Sequence, residues 1–213
     1  MPLDYYADRS LHLHDSMTSH TMLATVVELN EGTKRILWVS HQVSLRALDA
    51  VVRSTRAGPA LRGFVAVSSQ MRDWSRELHA AVRQVSELSA AQICNVSALL
   101  REDRRLGLLE LATPSQQHGA SLLRARQHAR MLKTSLESDI SRISRDTTRG
   151  LEELQQLGLM ASVLSRAALI EATSGNADER SDLSEVAREF AKHADEVTSV
   201  VQDLLSQYKD RQP

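Results

Sequence analysis

Apolar residues along this chain return at alternating steps of three and four, the 3.5-residue spacing that keeps one side of a helix facing a partner helix. The longest such run begins at Phe64 and continues through Val67, Met71, Trp74, Leu78, Ala81, Val85 and Leu88. It weakens at Gln92 and Asn95, then resumes at Leu99, Leu106 and Leu109. A second seam runs through Leu183, Val186, Phe190, His193, Val197, Val200 and Leu204, and a third through Leu154, Leu157, Ala161, Leu164 and Ala168. Upstream, Ile36, Val39, Val43, Ala47 and Ala50 keep helical spacing in noisier surroundings. No period-two alternation rich in β-branched residues competes with these seams, so the pattern predicts an all-α protein.

Three breaks divide the helices. Ala57-Gly58-Pro59-Ala60 joins a residue free to turn left-handed to one that cannot continue the hydrogen-bond ladder. Thr113-Pro114-Ser115 is the second, with Thr113 or Ser115 able to cap the next helix. Ser174-Gly175-Asn176-Ala177-Asp178 is the third, after which Ser181 or Asp182 opens the last helix. The predicted helices are 16–56, 61–112, 116–173 and 182–208, the second and third each about 75–85 Å long at ~1.5 Å per residue. Helices of that length need long neighbours, and short connections make those neighbours antiparallel. The expected architecture is an elongated antiparallel four-helix coiled coil made of two joined helical hairpins. A flexible leader, 1–15, would precede a first hairpin, 16–112, with its tip near 57–62. A second hairpin, 113–213, would have its tip near 174–181.

The two hairpins resemble each other. Ala50-Val51-Val52-Arg53 lies over Ala168-Leu169-Ile170-Glu171 at an offset of 118, and Val67-Ser68-Ser69-Gln70 over Val186-Ala187-Arg188-Glu189 at an offset of 119. Gly58 and Gly175 fall at the corresponding turns, and Gly32 and Gly150 precede them by similar distances, which predicts a duplication.

Composition narrows the class. With two Trp, two Phe and three Tyr in 213 residues, the chain has the makings of thin, repetitive helix packing rather than a thick globular core. No run approaches the ~18 apolar residues of a membrane span. The N-terminus lacks the basic and apolar regions of a secretory signal, and Cys94 is the single cysteine, which suits a reducing, cytoplasmic setting. A formal net charge of -1 gives no general reason to bind nucleic acid or an anionic membrane, and without an apolar span no membrane insertion is expected. Its distribution is uneven: Gly32 to Gly63 holds six Lys/Arg against Asp49 alone, and Glu171 to Asp210 holds ten acidic residues against four basic ones. The two stretches either pair with each other or are separately solvated faces.

Around the first turn the chain reads ALDAVVRSTRAGPALRGFVAVSSQMRDWS. Over about 30 residues this resembles the signalling hairpin tip of the methyl-accepting chemotaxis proteins, the bacterial chemoreceptors. Ala47, Leu48, Ala50, Arg56, Ala57, Gly58, Arg62, Gly63, Phe64, Val67 and Arg72 carry the match, with Arg-Ala-Gly followed shortly by Arg-Gly-Phe its most specific part. The second turn keeps Ile170-Glu171-Ala172, Gly175 and Val186-Ala187-x-Glu189. The resemblance implies a soluble signalling module, two receptor-like hairpins joined into a monomeric pseudo-dimer. Its partners would be a chemotaxis histidine kinase and adaptor, or other receptors. Arg53, Arg56, Gly58, Pro59, Arg62, Gly63, Phe64, Glu171 and Gly175 would form the partner-binding tip. Three positions depart from the family: Asp49 replaces an asparagine, and Arg53 and Pro59 replace glutamates, whereas Glu171 keeps the glutamate in the second hairpin. A basic tip beside an acidic one would favour the intramolecular pair over like-with-like pairing. The alternative function is a non-signalling coiled-coil scaffold or positioning protein derived from a receptor bundle.

Gln116-Gln117 and Glu152-Glu153 are the candidates for receptor-type modification, against the commoner reading of a solvated helix face. His12, His14 and His20 lack the Cys or carboxylate neighbours of a metal site and read as a polar leader. Trp38 and Trp74 read as core anchors, Cys94 as a small buried hydrophobe, and His193 as a packed histidine. No nucleophile–base pair, phosphate-cradling loop or paired carboxylates at ligand spacing is present, so neither an enzyme nor a cofactor is expected.

Overall fold

A computed structural model describes the backbone of residues 4–57, 61–112, 119–173 and 177–210, and the side chains of 24–55, 61–112, 119–173 and 180–210. The chain forms an all-α four-helix bundle of α1 (Asp4–Ala57), α2 (Arg62–Leu111), α3 (Gly119–Ala172) and α4 (Ala177–Asp210), with no strand among the described residues. Two boundaries differ from expectation. Helix α1 begins at Asp4 rather than residue 16, so the stretch read as a leader is largely helical. Nothing between Pro2 and Gly32 can break a helix, and polarity alone does not. Helix α4 begins at Ala177, ahead of Ser181 and Asp182, so neither of those is its cap.

Packing divides the chain across the hairpins, not between them. One unit comprises residues 29–86 and 148–212, and the other 1–28 and 87–147. A lone hairpin of two helices leaves each apolar seam half covered, whereas four helix segments around one axis bury it.

In the four-helix unit, every predicted seam turns inward. Ile36, Val39, Val43, Ala47, Phe64, Met71, Trp74, Leu78, Leu154, Ala161, Phe190 and Val197 are among the buried residues of one continuous core. Each pair of neighbours is antiparallel, as the cross-helix contacts show. Ser40 Oγ donates to Ser75 O at 2.9 Å while Ser75 Oγ donates to Ser40 O at 2.7 Å, a buried reciprocal pair fixing the register of α1 against α2. Trp74 Nε1 donates to Leu157 O at 2.8 Å, tying α2 to α3, and Lys209 Nζ meets Glu152 Oε1 at 2.9 Å between α4 and α3.

The uneven charge is also resolved here. Arg35, Arg46 and Arg53 of α1 meet Glu196, Glu189 and Asp182 of α4 at 2.9, 3.0 and 3.6 Å. Such solvent-exposed pairs are individually weak, because water screens them. Their weight lies in selecting which helix lies beside α1.

The contacts repeat the internal duplication. A Cβ on Gly32 would lie 2.6 Å from Leu204 Cδ1, and one on Gly150 would lie 2.7 Å from Val85 Cγ2. Gly32 and Gly150 are 118 residues apart, and Val85 and Leu204 are 119 apart. The α1–α4 contact thus recurs as the α3–α2 contact, so the two hairpins are related by a pseudo-two-fold inside one chain.

The other unit is sparser. Val26, Val96, Leu106, Ala129, Ile140 and Ile143 are buried, together with the polar Gln92 that interrupts the α2 seam. Helices α2 and α3 run antiparallel here, held by Lys133–Asp103 at 2.8 Å and Arg130–Glu110 at 3.0 Å. The Arg126 guanidinium donates to Leu109 O at 2.8 Å and Ala112 O at 3.1 Å, satisfying carbonyls left open at the α2 C-terminus.

Of the side chains read as buried, Trp74 is, but Trp38 is 58% exposed and Cys94 is exposed. Trp38 directly precedes Val39 in the seam, which turns it about 100° off the core direction. Cys94 likewise lies between the inward positions Gln92 and Val96.

His193 is half-buried, with its Nδ1 lacking a hydrogen bond and Glu196 Oε2 3.9 Å away. Burial holds this imidazole below its ordinary pKa; Glu196 and Glu189 oppose that shift, and Lys192 and Arg46 add to it. The unfolded chain therefore takes up the proton first, near pH 6.5. The neutral histidine's contribution is intact above that pH and is lost as pH falls through the lower, folded pKa. His193→Leu is expected to flatten this part of the pH dependence. The check is melting temperature from pH 7.5 to 5.5, where parallel declines in the two proteins would exclude His193 as the cause.

Candidate functional site

The end of the four-helix unit that carries the Arg-Ala-Gly and Arg-Gly-Phe segments is built by the last turns of α1 and α3 and the first turns of α2 and α4. Its floor is a packed layer of Leu61, Phe64, Ala172 and Leu183 with Ser54, all buried. Ser54 Oγ donates to Ala50 O at 2.6 Å, so its hydroxyl is satisfied within its own helix. Helix α3 closes with Thr173, whose N–H and Oγ1 both donate to Ile170 O, at 3.1 and 2.7 Å.

The expected tip residues separate into distinct roles. Phe64 is completely buried, so it packs the floor and offers no surface to a partner. Arg62 is exposed. Arg53 is exposed and lies 2.9 Å from Asp49 Oδ2 as well as 3.6 Å from Asp182 Oδ2. The hydrogen bond to Asp49 raises the Arg53 pKa, and the carboxylates of Asp182 and Glu185 act in the same direction. Gly63 lies under the Glu171 carboxylate, so closely that a Cβ at Gly63 would collide with its oxygens. Arg56 lies within α1, but its side chain, like Gly58, Pro59 and Gly175, is outside the described residues. Gln116 and Gln117 are outside them too. Glu152 and Glu153 are exposed on α3, with Glu152 engaged by Lys209.

Outward-facing apolar residues beside this tip had no place in the inward seams. On α1, Leu45 is 49% and Val52 43% exposed, with Leu48 exposed between them; on α3, Val163 is 66% and Ile170 69% exposed. Leu45 and Val163, like Val52 and Ile170, are 118 residues apart. Both halves of the duplication therefore present the same outward pair, seven residues apart. That repeated spacing was available in the sequence; what hid it is that an apolar pair seven apart reads as core until the inward face is known.

No protein-family model matches this chain, and no curated protein matches it. The chemistry of the tip must therefore be read from its own residues. It offers two apolar strips, the Glu171 and Glu185 carboxylates without an ion-pair partner among the described residues, and an arginine held by Asp49 and Asp182. No group of His, Cys, Asp and Glu among the described residues could hold a metal ion, and no described helix is long and apolar enough to cross a membrane.

Proposed function

We propose that this chain is a chemoreceptor-like signalling module that engages a histidine kinase–adaptor complex through the end of its four-helix unit. The observation that carries the reading is the coincidence of two independent features at one end. The Arg56-Ala57-Gly58 and Arg62-Gly63-Phe64 segments resemble a chemoreceptor tip. Beside them, Leu45, Leu48, Val52, Val163 and Ile170 are large apolar side chains left facing outward. Exposed apolar residues scattered singly are ordinary, but a repeated strip marks an interaction surface. The duplication supports a pseudo-dimer made in one polypeptide, where a short connection holds the second hairpin at high effective concentration.

The test is direct binding of the purified chain to purified chemotaxis kinase and adaptor. Binding is expected, and Val52→Glu together with Ile170→Glu should abolish it while leaving the melting temperature nearly unchanged, since both side chains are already exposed. No association of the unmodified chain, or full association of the double variant, favours a scaffold that has lost the kinase contact.

A further inference from the structure

The composition around the second turn differs from that of the whole chain. From Arg101 to Ser135 there are seven Lys/Arg against Glu102, Asp103 and Glu110, in a chain of net charge -1. The start of α1 belongs to the same unit, and its Asp4, Asp8 and Asp15 against Arg9 reduce this excess without reversing it. The three carboxylates are already engaged: Glu102 with Arg105 at 3.6 Å, Asp103 with Lys133 at 2.8 Å and Glu110 with Arg130 at 3.0 Å. Arg126 is turned onto the carbonyls that end α2. Arg101, Arg104 and Arg124 are exposed and make no ion pair with a described residue.

Apolar side chains stand beside these cations. Leu111 and Leu108 are the two most exposed large apolar side chains described, at 81% and 71%, and Leu123 across the turn is also exposed. Along α2, Arg101, Arg104, Leu108 and Leu111 follow at steps of three, four and three, which sets them on one helix face. That face is turned away from the buried Leu106. Its order is basic first and apolar last, with Leu111 ~10 Å beyond Arg104 toward the turn.

An anionic bilayer presents the matching order, phosphates outermost and acyl chains beneath. We infer that the α2–α3 turn end docks on an anionic lipid surface, with Leu108, Leu111 and Leu123 entering the interface and Arg101, Arg104 and Arg124 meeting lipid phosphates. This goes beyond the proposed function and does not rest on it, since other residues are involved. A helix from a partner protein is a poorer match. The open depression along α3 from Leu123 to Asp139 has Gln127, Thr134, Ser135 and Ser138 in its lining, so it offers no continuous apolar track. Leucines projecting beside unpaired arginines suit a deformable lipid surface.

Flotation of the purified chain with vesicles tests this directly. The chain is expected to float with vesicles of mixed phosphatidylglycerol and phosphatidylcholine and not with phosphatidylcholine alone, and added salt should weaken the association. Arg101→Gln/Arg104→Gln should lower partitioning at least about tenfold. Leu108→Gln/Leu111→Gln should lower it by a similar factor, because the apolar contact is lost. These four side chains are exposed, so thermal melts of both variants should match the unmodified chain. Leu123→Gln/Arg124→Gln repeats the test from α3. No flotation with anionic vesicles overturns the inference, as does equal flotation with both lipids or full flotation of the leucine variant. Retention on immobilised poly-glutamate without flotation also overturns it and assigns the end to an acidic protein. The assay contains no kinase, so each of these failures leaves the proposed function standing.

Discussion

Alanine in place of Phe64 is expected to cost about 3–5 kcal/mol, and alanine in place of Phe190 as much. Both rings are fully buried in one core, and there are only two phenylalanines in the chain. By the 119-residue offset, Phe64 corresponds to Leu183 and Phe190 to Met71, so each layer combines one ring with one flexible or branched aliphatic side chain. The helix backbones are held at a separation suited to that sum. Neither Leu183 nor Met71 can expand to fill a missing ring, which leaves a cavity and not a collapse. A domain of this kind has about 5–15 kcal/mol in total, so either loss removes a large share. Urea unfolding of the two variants reads the effect, and a loss under about 1 kcal/mol would mean that the layer repacks. Because Phe64 lies in the motif that carries the chemoreceptor resemblance, lost binding in a Phe64 variant would report a disturbed floor and not a lost partner contact.

The second large effect is expected at Gly150, with the opposite sign to Gly107. Both are glycines inside long helices, where alanine is favoured by about 1 kcal/mol on backbone grounds. A Cβ at Gly107 meets nothing within 4 Å, so Gly107→Ala should stabilise by that amount. A Cβ at Gly150 would lie 2.7 Å from Val85 Cγ2, a β-branched side chain with little rotamer freedom. Overpacking of this kind costs about 1–3 kcal/mol, enough to cancel or reverse the helical gain for alanine and to put Gly150→Leu near 3 kcal/mol of loss. Val85→Ala should relieve the clash, so the Gly150→Ala/Val85→Ala pair is expected to couple by about 1 kcal/mol or more. Additive melts for that pair would show that α2 and α3 are less closely apposed than this contact requires.

Much of this protein is legible in its residue order. The 3.5-residue seams predict four helices and name the inward residues, because burial on one side of a helix is written directly into spacing. The matched offsets of 118 and 119 reveal the duplication, and with it the equivalence of Gly32 and Gly150. Less legible are the ends and flanks. Residues 4–15 continue α1 because polar residues do not stop a helix, and Trp38 and Cys94 face outward because an apolar type says nothing about angle when a neighbour already occupies the seam.

Sequence by itself thus determined the helical class, the seams and the two-hairpin repeat, since each depends on relations within one helix or on comparison along the chain. Tertiary structure decided the rest. Only the closed ring of four helices sets Arg46 beside Glu189 and Arg53 beside Asp182, and only it lays the Glu171 carboxylate over Gly63. Charge counts on α1 and α4 were visible from the start, but whether two charges neutralise each other depends on a separation of a few ångströms across helices more than a hundred residues apart in the chain.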